Sequence, residues 1–198
     1  MRPAMRRLAR WLDLVSRGKA TPDMVTLAGV AIQVPAAWFI AVGWYIPAAV
    51  ILIVSVMFDF LDGELARLQK RASVRGMLLD ATTDRIGETI VFCGIVYRLA
   101  QHGSPAETTW AVAACGAAQC VSYVKAKGEM AVAIKDTDHN SLNRRFQLGP
   151  GSLSERAAVL IIGLLTGYLF VAVLVVLVLS LITIGRRWLA ITRSLSAL

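Results

Sequence analysis

No charged residue occurs from Met24 to Val42. A helix needs about 20 mostly apolar residues to cross the hydrocarbon core of a bilayer. Inside that core no water can satisfy an open backbone, so such a segment must be helical. The same pattern returns along the chain. A second helix is expected from about Pro47 to about Gln69, a third from near Arg75 to near Ala100, and a fourth from about Ala106 to Val132. Leu153 to Ile184 is apolar for longer than one span and fits two helices with a short turn near Thr166-Gly167-Tyr168. One long tilted helix is the competing reading. Only 17% of residues are charged and 57% are hydrophobic, whereas soluble domains average about a quarter charged. The expected fold is therefore an all-α integral membrane protein with six transmembrane helices, residues 1–198 forming one membrane domain.

The punctuation supports these boundaries. Thr21-Pro22-Asp23 offers an N-cap and an N1 proline to the first span. Gly43 and Pro47 mark a tight turn, Gln101 to Pro105 a loop, and Lys135 to Gly151 a longer polar loop. In Met1 to Lys19, Arg2, Arg6, Arg7 and Arg10 alternate with Met5, Leu8, Trp11 and Leu12 at helical spacing. This predicts an amphipathic interfacial helix lying on the membrane surface. The segment is too basic and too broken to supply the apolar core of a signal peptide. Cys93, Cys115 and Cys120 lie in apolar stretches without metal-ligand spacing and are expected to be small buried side chains.

The net charge of +8 would suggest a nucleic-acid partner on a soluble protein. Here its distribution points to membrane lipid, and no nucleic acid is expected. With six spans, every Lys and Arg except Arg98 falls on the side of the N-terminus, including Lys135, Arg144 and Arg145 of the polar loop. Positive charge marks the cytoplasmic side, so a multi-pass protein of the cell membrane with both termini cytoplasmic is expected. The five-helix alternative would put Arg186, Arg187 and Arg193 outside.

Six of the 13 acids lie between Asp59 and Glu88, at the end of the second helix and the start of the third. Acids in membrane segments are costly and tend to be functional. Asp59 and Asp62 are three apart, and Asp80 and Asp84 are four apart, so each pair shares a helix face. A turn around Lys70 to Ser73 would set the pairs side by side near the cytoplasmic surface. Four facing carboxylates repel unless a cation lies between them, and hard oxygen ligands suit magnesium, manganese or calcium rather than zinc. From spacing alone two alternatives stay open. The acids could be ion-paired by Arg67, Arg71, Arg75 and Arg85, or could serve a cation-coupled transporter.

Asp59-Phe60-Leu61-Asp62-Gly63-Glu64-Leu65-Ala66-Arg67, followed by Gly76, Asp80 and Asp84 at fixed intervals, resembles the signature of the CDP-alcohol phosphatidyltransferase family. Asp23 stands where many members carry Asn. The resemblance implies transfer of a phosphatidyl or similar group from a CDP-linked donor, such as CDP-diacylglycerol, to a small polar alcohol with release of CMP. It implies two Mg²⁺ or Mn²⁺ ions held by Asp59, Asp62 and Asp80, with Asp84 as ligand and as general base for the acceptor hydroxyl. Gly63 would let the nucleotide approach the backbone, and Arg67 would bridge the diphosphate. Asp23, Thr26 and Ser73 would complete the nucleotide pocket around Asp59, Asp62, Gly63 and Arg67, with helix capping or interfacial hydrogen bonding as competing roles for these three. Members are commonly homodimers, and the active site would be cytoplasmic.

Ser122-Tyr123-Val124-Lys125-Ala126-Lys127-Gly128-Glu129, with Asp80 to Glu88 and Phe92-Cys93-Gly94, resembles the actinobacterial phosphatidylinositol phosphate synthases within that family. This implies inositol 1-phosphate as acceptor, bound by Ser122, Lys125 and Arg156, with Lys127 or Arg75 as further candidates. The pattern departs in places. Val159 replaces a second arginine, Lys127 replaces Arg, Glu88 replaces Asp, and Glu64 is more familiar where the donor is of CDP-inositol type. Glycerol 3-phosphate and inositol therefore stay open as acceptors.

Overall fold

A computed structural model describes residues 2–133 and 150–196. Most of the predicted polar loop, with Lys135, Arg144 and Arg145, lies outside the described residues. The described residues form helices and contain no strand. Contacts divide the chain into two compact units, Met1–Arg98 and Leu99–Leu198.

The first unit holds α1 (Arg2–Ser16), α2 (Pro22–Ala31), α3 (Gln33–Val42), α4 (Tyr45–Leu68) and most of α5 (Val74–His102). Thr21 caps α2 as predicted, its hydroxyl accepting from the Met24 N–H at 3.3 Å. The predicted first span is interrupted at Ile32. Pro35 has no N–H to offer the Ala31 carbonyl and its ring crowds it, so the helix breaks there. Gly43, at φ 85°, ends α3. The Trp44 N–H returns to Phe39 O at 2.8 Å, a glycine-ended helix stop. Arg98, which the charge pattern set apart, packs on this turn. A Cβ on Gly43 would lie 2.9 Å from its Cζ, and Arg98 Nε donates to the Tyr45 hydroxyl at 3.2 Å.

Small residues let α3 and α4 approach closely, with Ala36, Ile40, Ala48 and Ala49 fully buried, as membrane helices pack. α1 lies on α4. Ala9 is buried with Val25, Leu61 and Leu65, and Leu8, Leu12 and Phe58 pack around them. Trp11, Leu14 and Val15 remain exposed. The apolar residues of α1 thus divide between a face packed on α4 and an exposed one.

The second unit holds α6 (Pro105–Ala133), α7 (Leu153–Thr166) and α8 (Leu169–Ser196). Both α6 and α7 begin with capping boxes. The Ser104 N–H donates to Glu107 at 2.7 Å while Ser104 Oγ accepts from the Glu107 N–H. Ser152 and Glu155 repeat the exchange at α7. Gly167, at φ 79°, separates α7 from α8, so two helices replace the single tilted one. α6 and α8 touch at Gly128, where a Cβ would come within 2.2 Å of Ile191 Cδ1.

Among the described residues three segments are long and apolar enough to cross a membrane: Pro22–Val42, Tyr45–Leu68 and Leu169–Leu195. α7 has 14 residues, about 21 Å of helix against a core of about 30 Å. α5 is long enough, but its acids lower its hydropathy. The cysteines correct the expectation of burial. Cys93 and Cys120 are exposed and Cys115 is half-buried. A small apolar side chain on a membrane helix needs no protein core, because lipid tails are equally apolar surroundings.

Candidate active site

α4 and α5 are joined by a turn in which Lys70 takes a left-handed conformation, φ 55°. The Arg71 N–H reaches back to Ala66 O at 2.9 Å. Ser73 starts α5, accepting from the Gly76 N–H at 3.0 Å. The turn folds the two acidic segments onto each other. Oxygens from Asp59 on α4 and from Asp80 and Asp84 on α5 all lie within 4.8 Å of one another.

At an effective dielectric of about 20, each ionised pair at that separation repels by about 3.5 kcal/mol. Among the described residues, Arg85 is the arginine that pairs with one of these aspartates, its Nη2 lying 3.6 Å from Asp84 Oδ2. It also reaches Glu88 at 3.5 Å, so its charge is divided. Three carboxylates converging from two helices fit a hard divalent cation.

Asp62 has a partner of its own. The Thr26 hydroxyl donates to its Oδ2 at 2.5 Å, tying α2 to α4. Asp62 and Thr26 line an open cleft of about 200 Å³ with Asp23, Gly63, Arg67 and Ser73. These are the predicted nucleotide-pocket residues except Asp59. Asp80 belongs to both the cleft lining and the acid cluster, so the two join at one carboxylate. Ser73 combines a cap with its place in the cleft. Glu64 is buried and pairs with Arg67 at 3.0 Å and with Arg6 of α1 at 3.4 Å. Arg71 and Gly76 also line the cleft.

The predicted acceptor residues Ser122, Lys125 and Arg156 lie in the second unit, and Arg75, a further candidate, lies on α5 in the first. Lys125 Nζ is 3.6 Å from Glu129 on the next turn. Arg156 is 1% exposed and donates to the Gly151 carbonyl. Lys127 lies over the Tyr123 ring, 6.0 Å from its centroid. Arg187 did not figure among the predicted site residues. It is buried on α8 and donates to Val121 O at 2.7 Å, beside Ser122. Its charge read as one of many on the cytoplasmic side. A finer signal was present, because Ser180, Thr183 and Arg187 fall on one face of a largely apolar helix, and all three are buried.

Fold and site together define a helical membrane protein with an acid-lined cleft suited to a divalent cation. The profile of the CDP-alcohol phosphatidyltransferase family matches residues 19–192. The chain belongs to that family. The phosphatidylinositol phosphate synthase of Mycobacteroides abscessus is 32% identical over 195 residues, covering 92% of this chain and 82% of that protein. The Mycobacterium tuberculosis enzyme of the same name is 36% identical over 111 residues, 55% of this chain and 51% of the relative. The matched stretch thus spans about half the length of that curated relative. A crystal structure of the M. tuberculosis enzyme with CDP-DAG bound superposes with a TM-score of 0.79 at 27% identity, covering 94% of this chain and 92% of that one. A second structure of that enzyme holds manganese and citrate, with the same TM-score and identity, covering 94% and 88% of the two chains.

Proposed function

We propose that this protein transfers a phosphatidyl group from CDP-diacylglycerol to inositol 1-phosphate and releases CMP. One observation carries the proposal: Asp59, Asp80 and Asp84 converge on a single point, and Asp80 also lines the cleft that holds the other nucleotide-pocket residues. The names of the relatives and the CDP-DAG in the M. tuberculosis structure supply the donor and the acceptor class. A cation-coupled transporter would have no use for the cleft.

Asp59, Asp62, Asp80 and Asp84 would hold two Mg²⁺ or Mn²⁺ ions, which when bound neutralise the diphosphate and the departing CMP. Thr26 fixes the rotamer of Asp62, and Arg67, with Asp23, Gly63 and Ser73, receives the nucleotide and its diphosphate. Asp84 takes the proton of the acceptor hydroxyl. The hydroxyl oxygen bonds to the phosphorus that carries the diacylglycerol, and the bond from that phosphorus to CMP breaks. Ser122, Lys125 and Arg156, joined by Arg187, would bind the acceptor phosphate through charge-assisted hydrogen bonds. The chain would act as one domain with six spans, α7 being the shortest, and as a homodimer. The active site and both termini would face the cytoplasm.

Purified protein in nanodiscs, given CDP-diacylglycerol and Mn²⁺, should release CMP with inositol 1-phosphate and much more slowly with inositol or glycerol 3-phosphate. Faster release with either of those would reassign the acceptor. No CMP with any acceptor would overturn the phosphatidyltransferase reading.

A further inference from the structure

The proposed function uses the acids and the cleft but not the polar groups on the far side of the acids from the α4–α5 turn. Gln33 opens α3 immediately after the break at Ile32. Its Nε2 donates to the buried Ser55 hydroxyl at 2.7 Å. That hydroxyl in turn donates to the Gly29 carbonyl at 2.9 Å. On its other side the Gln33 carboxamide lies against α5. A Cβ on Gly87 would come within 2.3 Å of Gln33 Oε1 and within 2.9 Å of the other two carboxamide atoms. Ser55 precedes Asp59 by four residues on α4, and Gly87 follows Asp84 by three on α5. Each pair shares a helix face. At about 1.5 Å of rise per residue, the carboxamide touches both helices about one turn from the acids.

From these contacts we infer that Gln33 is a positioning residue for the acid cluster. Its carboxamide, hydrogen-bonded to Ser55 and seated on Gly87, is the spacer that sets the separation of α4 and α5 beside Asp59 and Asp84. Polar groups that bond between membrane helices commonly serve only as glue. Glue would not require a residue without a side chain opposite. Gly87 supplies that space, and the amide fills it. Gly94, two turns further along α5, meets the Ala37 backbone directly, where a Cβ would lie 2.3 Å from its carbonyl oxygen. α3 and α5 touch backbone to backbone there, whereas at Gly87 the Gln33 amide lies between them. The seat of α5 is therefore set locally, next to the acids, where the same amide bonds α4 through Ser55. A magnesium site demands near-ideal octahedral geometry at short distances, whereas larger ions accept looser cages. A slack spacer should thus weaken Mg²⁺ more than Mn²⁺.

The inference rests on the metal-binding reading of the aspartates, and the test separates the two. Mn²⁺ binding is followed by loss of the free-ion EPR signal in nanodiscs, with no substrate present, and Mg²⁺ by its competition. Removing a group that orients metal ligands typically costs about 10- to 100-fold in affinity. Gln33→Ala and Gly87→Ala should each weaken Mn²⁺ by about 10-fold and Mg²⁺ by more. In the Gln33→Ala background, Gly87→Ala should cost nothing further, because the added methyl then meets empty space. Gln33→Met keeps the bulk without the hydrogen bond and guards against misfolding of the alanine variant. It should fall between wild type and Gln33→Ala. If wild type holds no Mn²⁺, the metal reading of the acids fails. If wild type holds it and the variants hold it as tightly, or the Gln33 and Gly87 effects add, the inference about Gln33 is overturned.

Discussion

The two halves of the molecule bury charge of opposite sign. In residues 1–98, Asp62, Glu64 and Glu88 are buried, and three further carboxylates, not buried themselves, converge beside them. Among the described residues of 99–198, the buried charges are the guanidinium groups of Arg156 and Arg187, each donating to a backbone carbonyl. Removing an ion from water costs several kcal/mol even after relaxation, so neither set is an idle choice. A cluster of acids asks for a cation, whereas a buried arginine suits an acceptor or an anion. Under the proposed function, one half would hold the metals and the diphosphate and the other would receive the acceptor phosphate.

This contrast can be broken in several ways. The largest expected effect is on Asp84. Asp84→Asn should lower CMP release by about 10³-fold, within the usual range for loss of a general base, while circular dichroism stays unchanged. Wild-type turnover in that variant would remove Asp84 from the base role. Chelation should abolish turnover, and Mg²⁺ or Mn²⁺ should restore it where Zn²⁺ does not, because the donors are all hard oxygens. Restoration by Zn²⁺ alone would contradict the cluster as described.

The second half is tested through its anion. Arg187→Lys keeps the charge but loses the planar fork, and should raise KM for inositol 1-phosphate by about 10-fold with KM for CDP-diacylglycerol unchanged. A shift in the CDP-diacylglycerol KM instead would erase the division of labour between the halves. Thr26→Ala removes a hydrogen bond to a carboxylate, worth about 1.5–3 kcal/mol. It should weaken CMP binding in calorimetry by about 10-fold and leave the acceptor KM alone. The smallest effect is structural. Gly167→Ala forces a Cβ into the left-handed region, costing about 1–2 kcal/mol, and should lower the unfolding temperature without changing either KM.

Much of the fold was legible because membrane helices carry their signal in uninterrupted apolar runs. The cap at Thr21 then located the start of the first span. The break at Ile32 was less visible, since Pro35 lies inside a run that otherwise reads as continuous. The four aspartates were legible as two pairs through their spacing. The hold of Thr26 on Asp62 was not, because the two are 36 positions apart in the sequence. Arg187 escaped notice for a different reason: a buried arginine and a lipid-surface arginine have the same letter, and only its register with Ser180 and Thr183 distinguishes them. Gln33 was invisible in the same way, as one polar residue in an apolar span.

The seat of α1 on α4 has a consequence for how the chain is made. Ala9 closes against Leu61 and Leu65, residues synthesised about fifty positions later. Translation proceeds from the N-terminus at about 5–20 residues per second, so α1 leaves the ribosome seconds before its docking partner exists. During that interval both of its apolar faces must be sheltered by lipid or by the insertion machinery. A fusion that tethers the N-terminus away from the membrane should therefore impair assembly more than one placed after Ser196.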